Sequence, residues 1–445
     1  MHWSGGERRL DPARGRRPGD AHVAAARADP HPPAVHARDP GPGGGHPDPR
    51  PGDPPPARAG GAHLCQALQA TARGRRARDG ARLLHDAGAS EGLGARRPDR
   101  GEEPPLRRPA GGAGKGKGTE QGQGLRVLVL GGTRFIGRAT VEELVASGDE
   151  VLVVHRGVLE PDDMTPVSHL HCERAELGKH RAELEDFAPD AVIDYRALTR
   201  RDAETALEAL PDVARWIVIS SVDVYRAFGA LNSDDETDPV PLDEESPLRS
   251  ERYPYRGKMP GMDDYDKLDV EDVYLPRGAT VLRLPMVYGE HDYQRREEFL
   301  LRRIRAGRKR IPFGSGQWLT CRIYVRDVGR AVRLALEKPL TGEVLNVCED
   351  RSFSMGMWSR MILEAAESDA ALVRVADEAL PEDLKFTGTV TQHIAASARK
   401  ARSLLAWTTS DPHETLRKTV RWHLAHPPED ASDDFAPDDR ALGTL

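Results

Sequence analysis

The stretch LRVLVLGGTRFIGRATVEELVASG, residues 125–148, leaves this chain few options for folding. A short, β-rich apolar run stops at Gly131-Gly132, and an amphipathic segment then runs to Gly148. That order reads as a buried strand, a tight turn and a helix. Small residues at such a turn let backbone approach an anion closely, and the first amides of the helix point at it. The pattern predicts a dinucleotide pyrophosphate cradled by Gly131, Gly132, Thr133, Arg134, Phe135, Ile136 and Gly137. Arg134 stands where a further glycine often sits. Its backbone N–H still donates, and its guanidinium suits phosphate.

The body of the chain repeats the theme. Strand-like EVLVV (150–154), AVIDY (191–195), RWIVIS (215–220), ATVLRLPMVYG (279–289), CRIYV and EVLNV alternate with helical REEFLLRRIRAG and RDVGRAVRLALEK. Strands alternating with helices imply βαβ units and a parallel sheet buried on both faces. The expected fold is α/β: a Rossmann-type doubly wound parallel sheet with a smaller C-terminal α/β substrate lobe, spanning residues 125–426. Residues 427–445 read as an acidic disordered tail.

Residues 1–124 differ in kind. Residues 1–120 contain no Ile, Phe, Tyr or Asn and carry 21 Lys and Arg against 14 Asp and Glu, which leaves 43 against 57 for the rest. A segment so poor in bulky apolar residues cannot offset its ordering entropy and is expected to be disordered. A basic arm touching nucleic acid is one reading; translation of GC-rich DNA upstream of the true start is preferred. Met164 is the first methionine after Met1, so that reading needs an alternative initiation codon. No apolar h-region or membrane-length run is present. Cys65, Cys172, Cys321 and Cys348 stand far apart without CxxC or His pairing, so neither a zinc site nor a disulfide framework is indicated. The expectation is a soluble cytoplasmic protein without a metal.

Eighteen residues past Gly137 the second strand ends in HRG, 155–157. An acid there bonds a ribose 2′-hydroxyl, whereas Arg156 suits a 2′-phosphate, so NADP is favoured over NAD.

Further segments follow in order: ISSVDVY (219–225), YDKLDVE (265–271), LRLPMVYG (282–289), YVRDVGRAV (324–332) and GEVLNV (342–347). The set resembles the extended short-chain dehydrogenase/reductase superfamily, the NAD-dependent epimerase/dehydratase family, over roughly residues 125–425. The GGTRFIG turn is similar to that of an atypical branch that includes the chloroplast stem-loop-binding proteins. The resemblance implies a catalytic hydroxyl at Ser221 and a nicotinamide-ribose contact at Lys267, four residues before Glu271. It also implies cofactor contacts at Glu173, Asp194 and Pro285. Taken singly, a serine ending a strand or a proline in a loop is usually structural; the ordered set singles out Ser221 and Lys267.

The family pattern Y-x-x-x-K places tyrosine and lysine on one helical face, where the ammonium lowers the phenol pKa. Here Asp263 stands four before Lys267, and Tyr265 only two before it. On a regular helix that is about 200° round. Three arrangements restore a proton carrier: Tyr265 ahead of the first helical turn, Asp263 as the base, or Tyr253, Tyr255 or Tyr225 reaching in. Altered chemistry ranks above lost chemistry, and Tyr265 joins Ser221 and Lys267 as a catalytic candidate.

Tyr225 and Arg322 are the substrate candidates. Family epimerases carry an arginine seven residues before the aspartate matching Asp327; that position is Thr320 here, and Arg322 can substitute. Arg295, Arg296, Arg302 and Arg303 read as a solvated helical face. The resemblance implies an NAD(P)-dependent epimerase, dehydratase or reductase acting on a nucleotide sugar or related hydroxyl or carbonyl compound, and a possible homodimer. The rival is a cofactor-binding regulator or RNA-binding protein without turnover. The net acidic body, which repels a phosphate backbone, weighs against it.

Overall fold

Val127 and Val129 enter one hydrophobic core while Leu128 and Leu130 enter another, because successive strand residues point to opposite faces. A run apolar at every position is therefore a strand covered on both sides. The structure is a computed structural model that describes residues 124–233, 235–429 and 432–443. The expectations for residues 1–123, Cys65 included, lie outside the described residues.

Six strands build most of the main sheet: β1 (Arg126–Leu130), β2 (Glu150–His155), β3 (Ser168–His171), β4 (Ala191–Asp194), β5 (Trp216–Ser221) and β6 (Thr280–Leu284). Four short strands then lie outside it: β7 (Met286–Tyr288), β8 (Arg310–Phe313), β9 (Leu319–Thr320) and β10 (Arg322–Tyr324). The seventh member is β11 (Val344–Asn346). The order is β3-β2-β1-β4-β5-β6-β11, parallel throughout. Strand order reverses between β1 and β4, and in such sheets ligands settle in the crevice beyond the carboxyl ends at that switch point.

Helix Phe135–Ala146 covers one face beside helix Val325–Glu337. A Cβ at Gly329 would lie 2.9 Å from the carbonyl oxygen of Ala139, so this glycine sets how closely the two helices approach. The other face receives helix Arg200–Ala209, whose Ala203, Ala206 and Ala209 are buried. Thr199 and Asp202 close its start as a reciprocal capping box.

The C-terminal lobe is assembled from small two-stranded pairs, β7 with β10 and β8 with Ala371–Arg374, and from helices Met355–Ala365 and Pro412–Ala425. Trp318, Trp358 and Trp407 are buried within it. Two expectations need correction here. Residues 436–443 form a docked helix rather than a disordered tail, because Asp438 is fully buried against Arg303 at 2.7 Å. Arg303 is itself fully buried, paired also with Asp383 at 2.8 Å, and so is not part of a solvated face. Its acidic partners lie 80 and 135 residues away, beyond the reach of local pattern. Among the described residues no helix is long and apolar enough to cross a membrane.

Candidate active site

The glycine turn forms as its composition requires. Gly131 adopts φ +86°, and its N–H donates to the carbonyl of Val154 at 2.9 Å. A Cβ at Gly137 would lie 2.5 Å from the Gly131 carbonyl oxygen, so only glycine lets the helix start against the turn. No side chain caps that helix and no acid occupies its first turn. Its leading amides, around Thr133 to Ile136, are left for an anion. Phe135 holds φ +37°, a strained value for a bulky residue, with its ring edge-on to Tyr293. The Arg134 guanidinium stands 5.6 Å from the same Tyr293 ring. A turn without room for side chains and a helix start without a cap together fit a dinucleotide pyrophosphate.

Around the turn the charges divide into free and committed. Arg156 is exposed at the end of β2, and Glu173 is exposed just after β3. Arg196 lies over Gly131, where an added Cβ would meet its Cγ at 2.3 Å. Asp194, expected to contact cofactor, is instead committed to the protein. It takes Arg174 at 3.0 and 2.5 Å, the Tyr274 hydroxyl at 2.6 Å, and the amides of Arg196 and Ala197 at 2.8 and 2.9 Å. Burial raises its pKa, but Arg174 and these donors outweigh burial and the net shift is downward. Asp194 shapes the 194–197 loop through those amides.

At the end of β5 the half-buried Ser221 accepts the amide of Asp223 at 3.1 Å. Asp223 is buried, and one of its oxygens accepts the Tyr265 hydroxyl at 2.8 Å and that of Tyr255 at 3.4 Å. The other oxygen has no partner. Burial raises the Asp223 pKa, and the Tyr265 hydrogen bond only partly opposes it. Burial and the Asp223 charge in turn push the Tyr265 phenol well above its ordinary value.

Helix Lys267–Tyr274 begins at the lysine, with Asp266 as its cap. Tyr265 therefore lies ahead of the first turn, free of helical phase; this is the first of the three arrangements left open by the sequence. Asp263 is exposed and holds the Gly257 amide, while Tyr253 sits 4.0 Å from the Arg256 guanidinium. Lys267 is buried and donates to the carbonyls of Ala197 at 2.6 Å and Ile219 at 2.8 Å, tying the ends of β4 and β5 together. Burial lowers its pKa to about 8. Two of its three donors are used, which leaves one for a ligand.

Tyr225 needs correction as a substrate residue. It is fully buried, donating to Asn346 at 2.7 Å and accepting from Arg283 at 3.1 Å. Arg283 is bidentate to Glu271 at 3.0 and 2.7 Å, and Glu271 also accepts the Ser220 hydroxyl at 2.5 Å. The glutamate four residues after the lysine thus belongs to a core network. Sequence reasoning missed Asp223. The signal for Asp223 was an acid two residues past the final serine of β5, overlooked inside a motif read for its serine and tyrosine.

Arg322 is buried in the C-terminal lobe without a carboxylate in hydrogen-bond contact. It donates to the Thr320 carbonyl at 3.1 Å and lies 4.5 Å from the Trp358 ring. Burial lowers its pKa to about 10. It lines a cavity of about 40 Å³ with Met286, Tyr288, Glu297 and Trp358. One oxygen each of Glu297 and Glu349 lacks a partner, and burial pushes both acids up to about 7. Pro285, buried between β6 and β7, directly precedes the cavity wall at Met286.

Comparison with known proteins places the chain by family and fold. The profile of the NAD-dependent epimerase/dehydratase family matches residues 127–348. The chain is 24% identical over 306 residues to the chloroplast stem-loop binding protein of 41 kDa b of Arabidopsis thaliana, covering 63% of this chain and 74% of that one. It is 23% identical over 350 residues to dTDP-glucose 4,6-dehydratase of Salmonella typhimurium, covering 68% and 93%. Among solved structures it is similar to UDP-glucose-4-epimerase of Stenotrophomonas maltophila with bound NAD and formylated UDP-arabinopyranose. There the TM-score is 0.54 at 18% identity, covering 68% of this chain and 98% of that one. A likeness at that identity establishes the fold.

Proposed function

The chain belongs to the NAD-dependent epimerase/dehydratase family, and from that membership we propose an NAD(P)-dependent epimerase, dehydratase or reductase that moves a hydride between nicotinamide and a hydroxyl- or carbonyl-bearing carbon of a nucleotide sugar or related compound. The observation that carries the reading is Asp223: a buried carboxylate with one unpartnered oxygen, reached by the Tyr265 phenol beside Ser221 and Lys267. An acid held above its ordinary pKa at the end of a sheet strand is a proton acceptor of useful strength.

The residues of the chain divide the work. The amides after Gly131 hold the pyrophosphate, and Lys267 offers its remaining donor to the nicotinamide ribose. Arg156, exposed and free of an acid, favours a 2′-phosphate and hence NADP. A bound nicotinamide would supply a hydride acceptor for the carbon that bears the hydroxyl, or a donor in the reverse direction. Ser221 hydrogen-bonds that hydroxyl, and Tyr265 receives its proton as the phenol proton passes to Asp223. Tyr265 thereby acts through a carboxylate, not through a lysine on its own helix. Arg322 and its cavity suit the substrate diphosphate, a cation enclosed without a paired carboxylate. The similarity of the Salmonella and Stenotrophomonas proteins, whose names specify nucleotide sugars, supports this substrate class.

The test is calorimetry with NADP and NAD, followed by nicotinamide absorbance in the presence of UDP- and dTDP-sugars. Tight dinucleotide binding with substrate-dependent reduction is expected. An intact protein indifferent to both cofactors sinks the reading, and salt-sensitive RNA retention without turnover replaces it with the regulatory one.

A further inference from the structure

Outside this site, β2 and β3 pair in a register that sets His155 opposite His171 and Val153 opposite His169. His169 and His171 are two apart on a strand and share a face, while Leu170 between them packs toward the core. The His155 ring is 5.0 Å from that of His169 and 4.9 Å from that of His171. Glu160, from the β2–β3 connection, reaches into the same spot. The Nε2 of His155 lies 2.9 Å from Nδ1 of His169 and 3.1 Å from Oε1 of Glu160. Nδ1 of His169 is 4.0 Å from that oxygen, and Nε2 of His171 is in contact with it.

We propose that His155, Glu160, His169 and His171 bind one divalent transition-metal ion of the zinc type. Zinc bonds of about 2.0–2.2 Å to nitrogen and carboxylate oxygen put tetrahedral donors roughly 3.3–3.5 Å apart. His155, Glu160 and His171 each bring one donor atom within 4.8 Å of the others, and Nδ1 of His169 stands 2.9 Å from His155 and 4.0 Å from Glu160, so side-chain shifts gather the four about an ion. Three imidazoles and one carboxylate suit zinc, cobalt, nickel or copper far better than magnesium or calcium. The cluster is also hard to explain as packing. His171 and Glu160 are 57% and 43% exposed, and three imidazoles in contact gain nothing as neighbours unless an ion or proton lies between them. Gly157 makes room: its φ is +71°, and a Cβ there would press to 3.3 Å on the His171 ring. Three contacts must be given up: the His155–His169 and His171–Glu160 hydrogen bonds, whose shared protons the metal replaces, and one from the backbone. The Gly157 amide donates to Nδ1 of His155 at 3.2 Å, and metal at Nε2 places a proton on Nδ1.

With four protein donors the site is closed, as structural zinc sites are, and its work is to pin residues 156–167 to the edge strand. Local spacing does not reveal it, because two strands and a loop bring the ligands together. Arg156 follows His155 directly, so metal should also tighten NADP binding. That consequence rests on the cofactor reading above, whereas metal binding does not.

The experiment uses the full chain stripped with a chelator and titrated with Zn2+ by calorimetry and with Co2+ by visible spectroscopy. One equivalent with tetrahedral Co2+ bands is expected, abolished in His169→Gln/His171→Gln. Glu160→Gln should weaken binding by roughly tenfold or more, as loss of even a supporting residue does. Circular dichroism of the metal-free proteins checks that the variants fold, and His171→Gln alone serves if the double variant does not. Absence of stoichiometric binding by the unaltered chain overturns the proposal. So does equal binding by a folded His171→Gln variant, which would put the ion elsewhere. NADP titration with and without Zn2+ reads the secondary consequence separately.

Discussion

Asp194, the last residue of β4, and Asp223, two residues past β5, are buried acids at the carboxyl ends of adjacent strands, yet their surroundings are opposite. Asp194 has a bidentate guanidinium, a phenol and two amides, and its pKa falls. Asp223 has two phenols on one oxygen and none on the other, no cation hydrogen-bonds its carboxylate, and burial raises its pKa against the partial opposition of Tyr265, Arg249 and Lys267. A buried carboxylate that is fully compensated shapes backbone; one left partly uncompensated is held ready for a proton. On the proposed function, this difference in compensation marks Asp194 as the structural acid and Asp223 as the chemical one, a distinction burial does not make because both are buried.

The sharpest way to break the comparison is Asp223→Asn. Turnover should fall by roughly 10²–10⁴-fold, the range for losing a positioned acid or base, with dinucleotide affinity kept. Steady-state kinetics beside calorimetry reads both. Unchanged turnover would make Asp223 a second structural acid.

Asp194→Asn should instead strand Arg174 and destabilise the fold by about 3–5 kcal/mol in urea denaturation. Asp223→Asn is expected to stabilise by about 1 kcal/mol at neutral pH. The pH dependences should oppose. The lowered pKa of Asp194 contributes stability above the unfolded carboxylate value of 3.8 that is lost as pH falls through its folded value. The raised pKa of Asp223 is a cost at neutral pH, relieved as pH falls through its folded value.

Lys267, influenced by both acids, sharpens the contrast next. Its folded pKa of about 8 lies below the ordinary 10.5, so stability should rise with pH across that interval. Cofactor affinity should move the other way, weakening about tenfold per pH unit above 8 as the ammonium is lost. Lys267→Met should flatten both, measured by denaturation and cofactor titration at stepped pH. The smallest effects separate the phenols. Tyr274→Phe should cost about 1 kcal/mol of stability by removing a donor from Asp194. Tyr255→Phe, whose contact with Asp223 is longer, should cost less in the same denaturation measurement.

Much of this was readable from local pattern. Gly131, Gly132 and Gly137 follow from the space a turn allows, and Ser221 and Lys267 from their place in an ordered set. Tyr265 was legible as a residue but not as a geometry: whether it shares the lysine's helix depends on where that helix starts, and Asp266 decides that. Tyr225 and Asp194 looked available in the sequence and are not, because Arg283 and Arg174 reach them from distant positions. Arg303 hid for the same reason.

The sequence by itself determined the parallel sheet and the glycine turn into the first helix, because strand apolarity, glycine geometry and helix periodicity act over a few residues. Only the tertiary structure decided which charges are spent and which are free. Compensation of a buried charge depends on partners brought from 20 to 135 residues away, and nothing in local spacing encodes their arrival.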